Sequence, residues 1–255
     1  MNNKRPKENY VIDPLMPWKL PFDDTDTSPL SNYSMSAAEW EILLQKAEDG
    51  DPEAQWEVAD RYHDGCKDEN GSILVEASSE KAVEWFRKAA DAGYVSAQNN
   101  LGIMLGDGDG VEKNPDFALY WLKKSYRAGD QNAAQNIAIT YRENGKFKRA
   151  IHWFIKLAST GDEDAILQLG IHYFWGKGLR RDYLKAIDCF QKAIKGKNIC
   201  EASRDNAYFY LAIAYLEGKG LPKSIPTARK LLKRANKDND HPAAREFLRK
   251  MKSKP

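Results

Sequence analysis

The sequence predicts an all-α fold built from repeated pairs of antiparallel helices, and three observations carry that prediction. A glycine followed four residues later by alanine recurs as GDPEA at Gly50, GYVSA at Gly93, GDQNA at Gly129 and GDEDA at Gly161. After Ala54, Ala97, Ala133, Ala165 and Ala207, small and apolar residues return at offsets four, five and eight, which share one face of a helix. A second helical pattern then closes each unit, with Trp85, Trp121 and Trp153 three residues after an alanine and Cys189 in the same place in the fourth unit.

The elements follow in order. Residues 1–34 are proline-rich, show little helical periodicity and read as an extended or mobile arm. A leading helix is expected over 36–49, with Ser36 as N-cap and Trp40, Leu43, Leu44 and Ala47 on its apolar side. Repeats are expected at about 51–93, 94–129, 130–161, 162–200 and 204–237, and a polar, basic closing helix at 241–252. Between units, glycine suits a left-handed helix end, and Asp51, Asp130 and Asp162 suit the N-cap of the next helix. The units are not identical. The first carries the insertion CKDENGSILVEASSE between its helices, the third has the tighter RENGKFKR, and the fifth has Pro222 and Pro226 near its second helix.

The stretch LGDGDGVEKNPD, Leu105 to Asp116, looks like a calcium loop or a phosphate cradle. Neither reading holds. GKGLRRD at Gly176 and GKGLPKS at Gly218 occupy the same place in their units, and lysine there cannot stand in for a cation-binding aspartate. Ala118 sits where a bidentate glutamate would be needed. No strand precedes the loop, and the glycine spacing of phosphate-binding loops is missing. What remains is a bend between helices whose glycines permit positive φ, with Val111, Leu179 and Leu221 tucked beneath.

AQNNLGIMLGDGDGVEKNPDFALYWLKKSYRAG and AILQLGIHYFWGKGLRRDYLKAIDCFQKAIKG resemble the Sel-one-like (Sel1-like) repeat, a relative of the tetratricopeptide repeat, and the resemblance spans about residues 50–236. It implies a right-handed α-solenoid of about five antiparallel helix pairs with capping helices, whose first helices face a concave surface. The inner positions would then be Trp56 and Asp60, Asn99 and Ile103, Gln135 and Ile139, Leu167 and Ile171, Phe209 and Ile213. His63, Arg142, Phe174, Trp175 and Leu216 lie further along the same helices. The N-terminal part of this groove would be polar. In the C-terminal part, Leu167, Ile171, Phe174, Phe209 and Ile213 would form an apolar surface for a peptide or helix, unless they complete the packing between helices. Tyr10 to Phe22, apolar and proline-rich, is one candidate occupant.

Among 255 residues, 30% are charged, yet the net charge is only +2, a balance unlike that of proteins built to neutralise nucleic acid phosphates. No apolar run approaches the roughly 20 residues that span a bilayer, and the three sparse cysteines suit a reducing compartment. A cytoplasmic protein is expected, with no partner in nucleic acid or membrane and no cofactor or metal. Charge is uneven along the chain. Residues 21–80 hold 16 Asp and Glu against 3 Lys and Arg, whereas 221–255 hold 11 Lys and Arg against 3 Asp and Glu. An acidic head favours a basic partner. The four scattered histidines form no catalytic motif. The expected function is a non-enzymatic, protein- or peptide-binding scaffold or adaptor. The alternative is an immunity-type inhibitor that blocks a toxin. A β-lactam-directed hydrolase, known among cysteine-rich relatives, is a lesser alternative, because their cysteine pairs and an S-x-x-K motif are missing here.

Overall fold

A computed structural model describes residues 34–237 and 241–252. The described elements are α1 (Ala37–Glu48), α2 (Pro52–Asp64), β1 (Cys66–Lys67), β2 (Ile73–Val75), α3 (Ser79–Asp91), α4 (Val95–Asp107), α5 (Pro115–Arg127), α6 (Ala133–Glu143), α7 (Phe147–Ser159), α8 (Glu163–Trp175), α9 (Tyr183–Lys195), α10 (Glu201–Glu217), α11 (Ile225–Ala235) and α12 (Pro242–Lys252). From α2 onward the helices pack as consecutive pairs, α2–α3 through α10–α11, each pair resting on the next. The result is a solenoid. Its hydrophobic core is divided into successive clusters rather than gathered into one, as expected when each unit buries its apolar face against its neighbours.

Capping chemistry sets the helix starts. Ser36 forms a capping box with Glu39 ahead of α1. Asp51 accepts from the amides of Glu53 and Ala54, and Asp162 from that of Ala165. Asp130 differs from expectation. It accepts from the Asn132 amide and the Ser125 hydroxyl, and α6 begins later, at Ala133, without a side-chain cap. The insertion in the first unit is also more than a loop. Its Ile73–Val75 segment pairs antiparallel with Cys66–Lys67, around a turn in which Gly71 has φ 81° and Asp68 accepts from the amides of Asn70 and Ser72.

First helices sit close to their partners because the residue at offset five is small. A Cβ on Gly170 would lie 2.8 Å from the Cβ of Cys189 and the ring of Phe190. Cys189 is half-buried, and burial pushes its thiol pKa up, the opposite of an activated nucleophile.

The glycine loops connect the two helices of a pair and touch the unit before it. Gly178 has φ +79°, and a Cβ there would come within 2.6 Å of the Phe147 Cβ in the preceding unit. The residue between the two glycines also reaches back one unit. Asp109 meets His63 Nε2 at 3.3 Å. The Lys177 carbonyl accepts from His172 Nδ1 at 2.9 Å while its ammonium lies 5.9 Å from the Phe147 ring. Lys219 sits among Phe174, Trp175 and Tyr183, at 5.2, 5.3 and 5.8 Å from their ring centres. The position holds aspartate in one loop and lysine in two, and each side chain meets a different neighbour. Val111, Leu179 and Leu221 are half-buried under their loops.

Candidate inner-face binding site

Successive first helices approach one another, α4 with α6 and α8 with α10, more closely than do successive second helices. The first helices therefore line the inner side of the stack, and the side chains they present there are the candidate site.

The two halves of that face differ. In units one to three it is open and largely polar. Trp56, Asp60, Asn99 and Ile139 are half-exposed, and His63, Ile103 and Gln135 are exposed. Asn136 Nδ2 donates to Asn99 Oδ1 at 3.0 Å, linking α6 to α4. The Trp56 ring packs 5.7 Å from Tyr94, and its buried Nε1 has no hydrogen-bond partner among the described residues. A peptide backbone laid along α2, α4 and α6 would meet amide donors and acceptors from Asn99, Asn136 and Gln135, with the Ile103 and Ile139 side chains between them.

The outer end of this stretch is acidic. His63 Nδ1 lies 2.7 Å from Asp64 and its Nε2 3.3 Å from Asp109, while Asp60 accepts from the adjacent Arg61 at 2.9 Å. Burial first, then the neighbouring Asp64 carboxylate, pushes the Asp60 pKa up against the pull of Arg61 and His63. The Tyr94 hydroxyl is raised too, by burial and then by Glu53, Glu57 and Asp51. Negative potential accumulates here, and a cation supplied from outside would relieve it.

In units four and five the expected apolar surface is absent from the exterior. Leu167 and Ile213 are each 1% exposed, and Ile171, Phe174 and Phe209 are buried as well. All five belong to one core cluster with Tyr210 and Phe190. The cause is size and cover. Bulky apolar side chains on α8 and α10 fill the space between those helices, and Phe209 is closed over by Phe247 of α12 at 5.9 Å and by His241, just ahead of that helix, at 4.9 Å. These five residues are packing, not docking surface. Arg142 is likewise buried, with Nη1 donating to Gln168 Oε1 at 2.9 Å. Trp175 and Leu216 remain half-exposed. The segment Tyr10 to Phe22 lies outside the described residues.

Two members of the open half, Asn136 and Tyr94, escape sequence reading because neither falls at offset two or six. The asparagines at Asn99 and Asn136, on the first helices of successive units, are the available signal. Among the described residues no cluster of three His, Cys, Asp or Glu side chains is arranged to hold a metal ion, and no described helix is long and apolar enough to cross a membrane.

The family model of the Sel1 repeat matches residues 52–94, 95–130, 144–162, 163–198 and 205–240. The gap before 144 falls on α6, whose unit lacks the glycine loop. The chain is 29% identical over 148 residues to an uncharacterised Sel1-like repeat-containing protein of Schizosaccharomyces pombe, covering 58% of this chain and 19% of that one. It is 27% identical over 150 residues to HRD3A, a component of an ERAD-associated E3 ubiquitin-protein ligase of Arabidopsis thaliana, covering 59% and 18%. The aligned part thus spans about a fifth of the length of these curated relatives. Among solved structures, a Sel1 repeat protein from Oxalobacter formigenes superposes with a TM-score of 0.60 at 24% identity, covering 84% of this chain and 87% of that one.

Proposed function

The chain belongs to the Sel1 repeat family, and from that premise we propose that it is a non-enzymatic scaffold that holds a partner protein along the inner face of α2, α4 and α6. One observation carries the reading. The positions two and six residues after the key alanine are exposed or half-exposed in units one to three, where Asp60, Asn99 and Gln135 supply polar groups, and are buried in units four and five. Amide side chains in register with the repeat suit an extended backbone. The carboxylates around His63 favour a basic segment at the N-terminal end. A chain with only three, widely spaced cysteines accords with a cytoplasmic setting.

The test is site-specific photo-crosslinking in the native host, with the reactive side chain at Gln135 or Ile103 and, as control, at Leu184, which is exposed on the second helix α9. A discrete protein adduct from the first two positions and not from the third is expected. Charge reversal by Asp60→Lys should weaken it. Equal adducts from all three positions, or none from any, would overturn the reading. An inhibitor of a basic toxin would use the same acidic surface. It is distinguished by the purified pair, in which the partner's activity is lost on binding.

A further inference from the structure

We propose that a cleft on the opposite, outer side of the stack, between α5 and α7, binds a doubly charged phosphate group. The cleft, of about 300 Å³, is lined by Leu119, Tyr120, Lys123 and Arg127 on one stripe of α5, by Tyr141 at the end of α6 and by Arg149 in the first turn of α7. It rests on residues that the inner-face reading does not use.

Charge and hydrogen-bond direction together identify the ligand. Lys123, Arg127 and Arg149 bring three cations to one small concavity, and among the described residues none of them is in an ion pair with a carboxylate. The one carboxylate in the lining, Asp116, is already taken by Lys146 at 2.8 Å. Lys123 donates to the Tyr141 phenol oxygen at 2.7 Å. That bond uses the oxygen as acceptor and leaves the phenol hydrogen free to donate to an incoming oxyanion. The Arg149 guanidinium lies 5.7 Å from the Tyr141 ring centre, which holds one fork of donors beside the phenol. Three positive charges outweigh a single carboxylate and match a phosphate group, which carries a charge of about −1.5 to −2 near neutral pH. Guanidinium forks and a phenol donor suit its oxygens. Beside the cations, Leu119 and Tyr120 supply an apolar wall for whatever bears the phosphate, and the Tyr120 ring is more than half exposed.

The experiment is calorimetric titration of the full chain with two probes, inorganic phosphate and an uncharged-sequence peptide bearing one phosphoserine. Saturable one-site binding is expected for at least one. Inorganic phosphate binding as tightly as the peptide would mean a small-molecule anion. Tighter binding of the peptide would mean a phosphorylated protein segment. Tyr141→Phe removes only a hydroxyl, and Arg149→Gln removes one fork. Each should weaken binding about tenfold. Asp116→Asn removes the competing carboxylate and should tighten it severalfold, a gain that misfolding cannot produce. Affinity should also rise between pH 5 and 7.5 as the phosphate gains its second charge near pH 6. No saturable binding of either probe, or unchanged affinity in both Tyr141→Phe and Arg149→Gln, would overturn the proposal.

Discussion

Gln135 on α6 and Phe209 on α10 occupy the same place in their units, two residues after the key alanine, and meet opposite fates. Gln135 is exposed on the inner face, while Phe209 is 3% exposed beneath α12. One position in a repeat is therefore neither core nor surface by itself. A polar side chain there stays hydrated and leaves a groove. A large apolar one closes the groove where its neighbours are apolar too and a further helix covers it, as α12 covers Phe209, whereas Trp56 at the same place on α2 stays half-exposed. In this chain the boundary falls between α6 and α8. The N-terminal half keeps a surface for contact, and the C-terminal half, with the 17-residue α10 and the closing helix, is the denser anchor.

The largest expected effect tests that contrast directly. Phe209→Ala should destabilise the chain by about 3–5 kcal/mol, the range for truncating a buried aromatic side chain. Gln135→Ala should stay within about 0.5 kcal/mol, as exposed substitutions do. Urea unfolding followed by helical circular dichroism gives both values. Partner crosslinking should show the reverse order, with Gln135→Ala harming it more than its stability cost explains. Comparable stability losses at the two positions would break the comparison.

Next in size is an acid sensitivity confined to the dense half. His172 on α8 is fully buried among Phe147 and Phe154. Burial, with a smaller contribution from Arg142 and against the hydrogen bond to Lys177, lowers its pKa from 6.5 to about 4. The folded chain thus binds fewer protons at His172 than the unfolded chain between those two values. Stability from this group is complete above pH 6.5 and is lost as pH falls toward 4, up to about 3 kcal/mol. Unfolding midpoints of the wild type and His172→Leu, compared at pH 7 and pH 4.5, should show a steeper acid loss in the wild type. Parallel pH profiles would show that the buried imidazole does not set the sensitivity.

The helical pairs were legible in sequence because their signal is local. Offsets of four, five and eight after each alanine, glycine at helix ends and aspartate caps all act within a few residues. The fate of the inner face was not. Whether Leu167 or Ile213 is covered depends on α8 meeting α10 and on α12 folding back over Phe209, contacts that no single-helix period encodes. The pattern does separate Asp60, Asn99 and Gln135 from Leu167, Ile171, Phe209 and Ile213 by polarity, yet Ile103 and Ile139 stay accessible on α4 and α6, so cover by neighbouring helices decides exposure together with polarity. The strands Cys66–Lys67 and Ile73–Val75 are too short to alternate visibly. Asp130 resembles Asp51 and Asp162 in sequence, but Ser125, five residues earlier in the chain, draws its carboxylate away from a cap.

The smallest effect concerns the joints between units, where the two halves also differ. Lys219 reaches back into the dense half, pairs with Glu217 and lies over the rings of Phe174, Trp175 and Tyr183, with only about a quarter of its side chain exposed. Asp109 reaches back into the open half toward His63, and both side chains are more than two-fifths exposed. A partly desolvated cation against aromatic faces outweighs an exposed polar contact. Lys219→Met keeps the length and removes the charge, and should cost about 1 kcal/mol. Asp109→Asn keeps the shape and should cost less than about 0.5 kcal/mol. Salt separates the mechanisms. An exposed charge contact fades when the screening length drops to about 3 Å at 1 M, whereas a partly buried one is screened less. The Lys219→Met difference should therefore persist in 1 M sodium chloride and the Asp109→Asn difference should vanish. If both substitutions were silent at every salt concentration, the loop residues would be spacers only, and the match between each loop and the unit before it would have no energetic content.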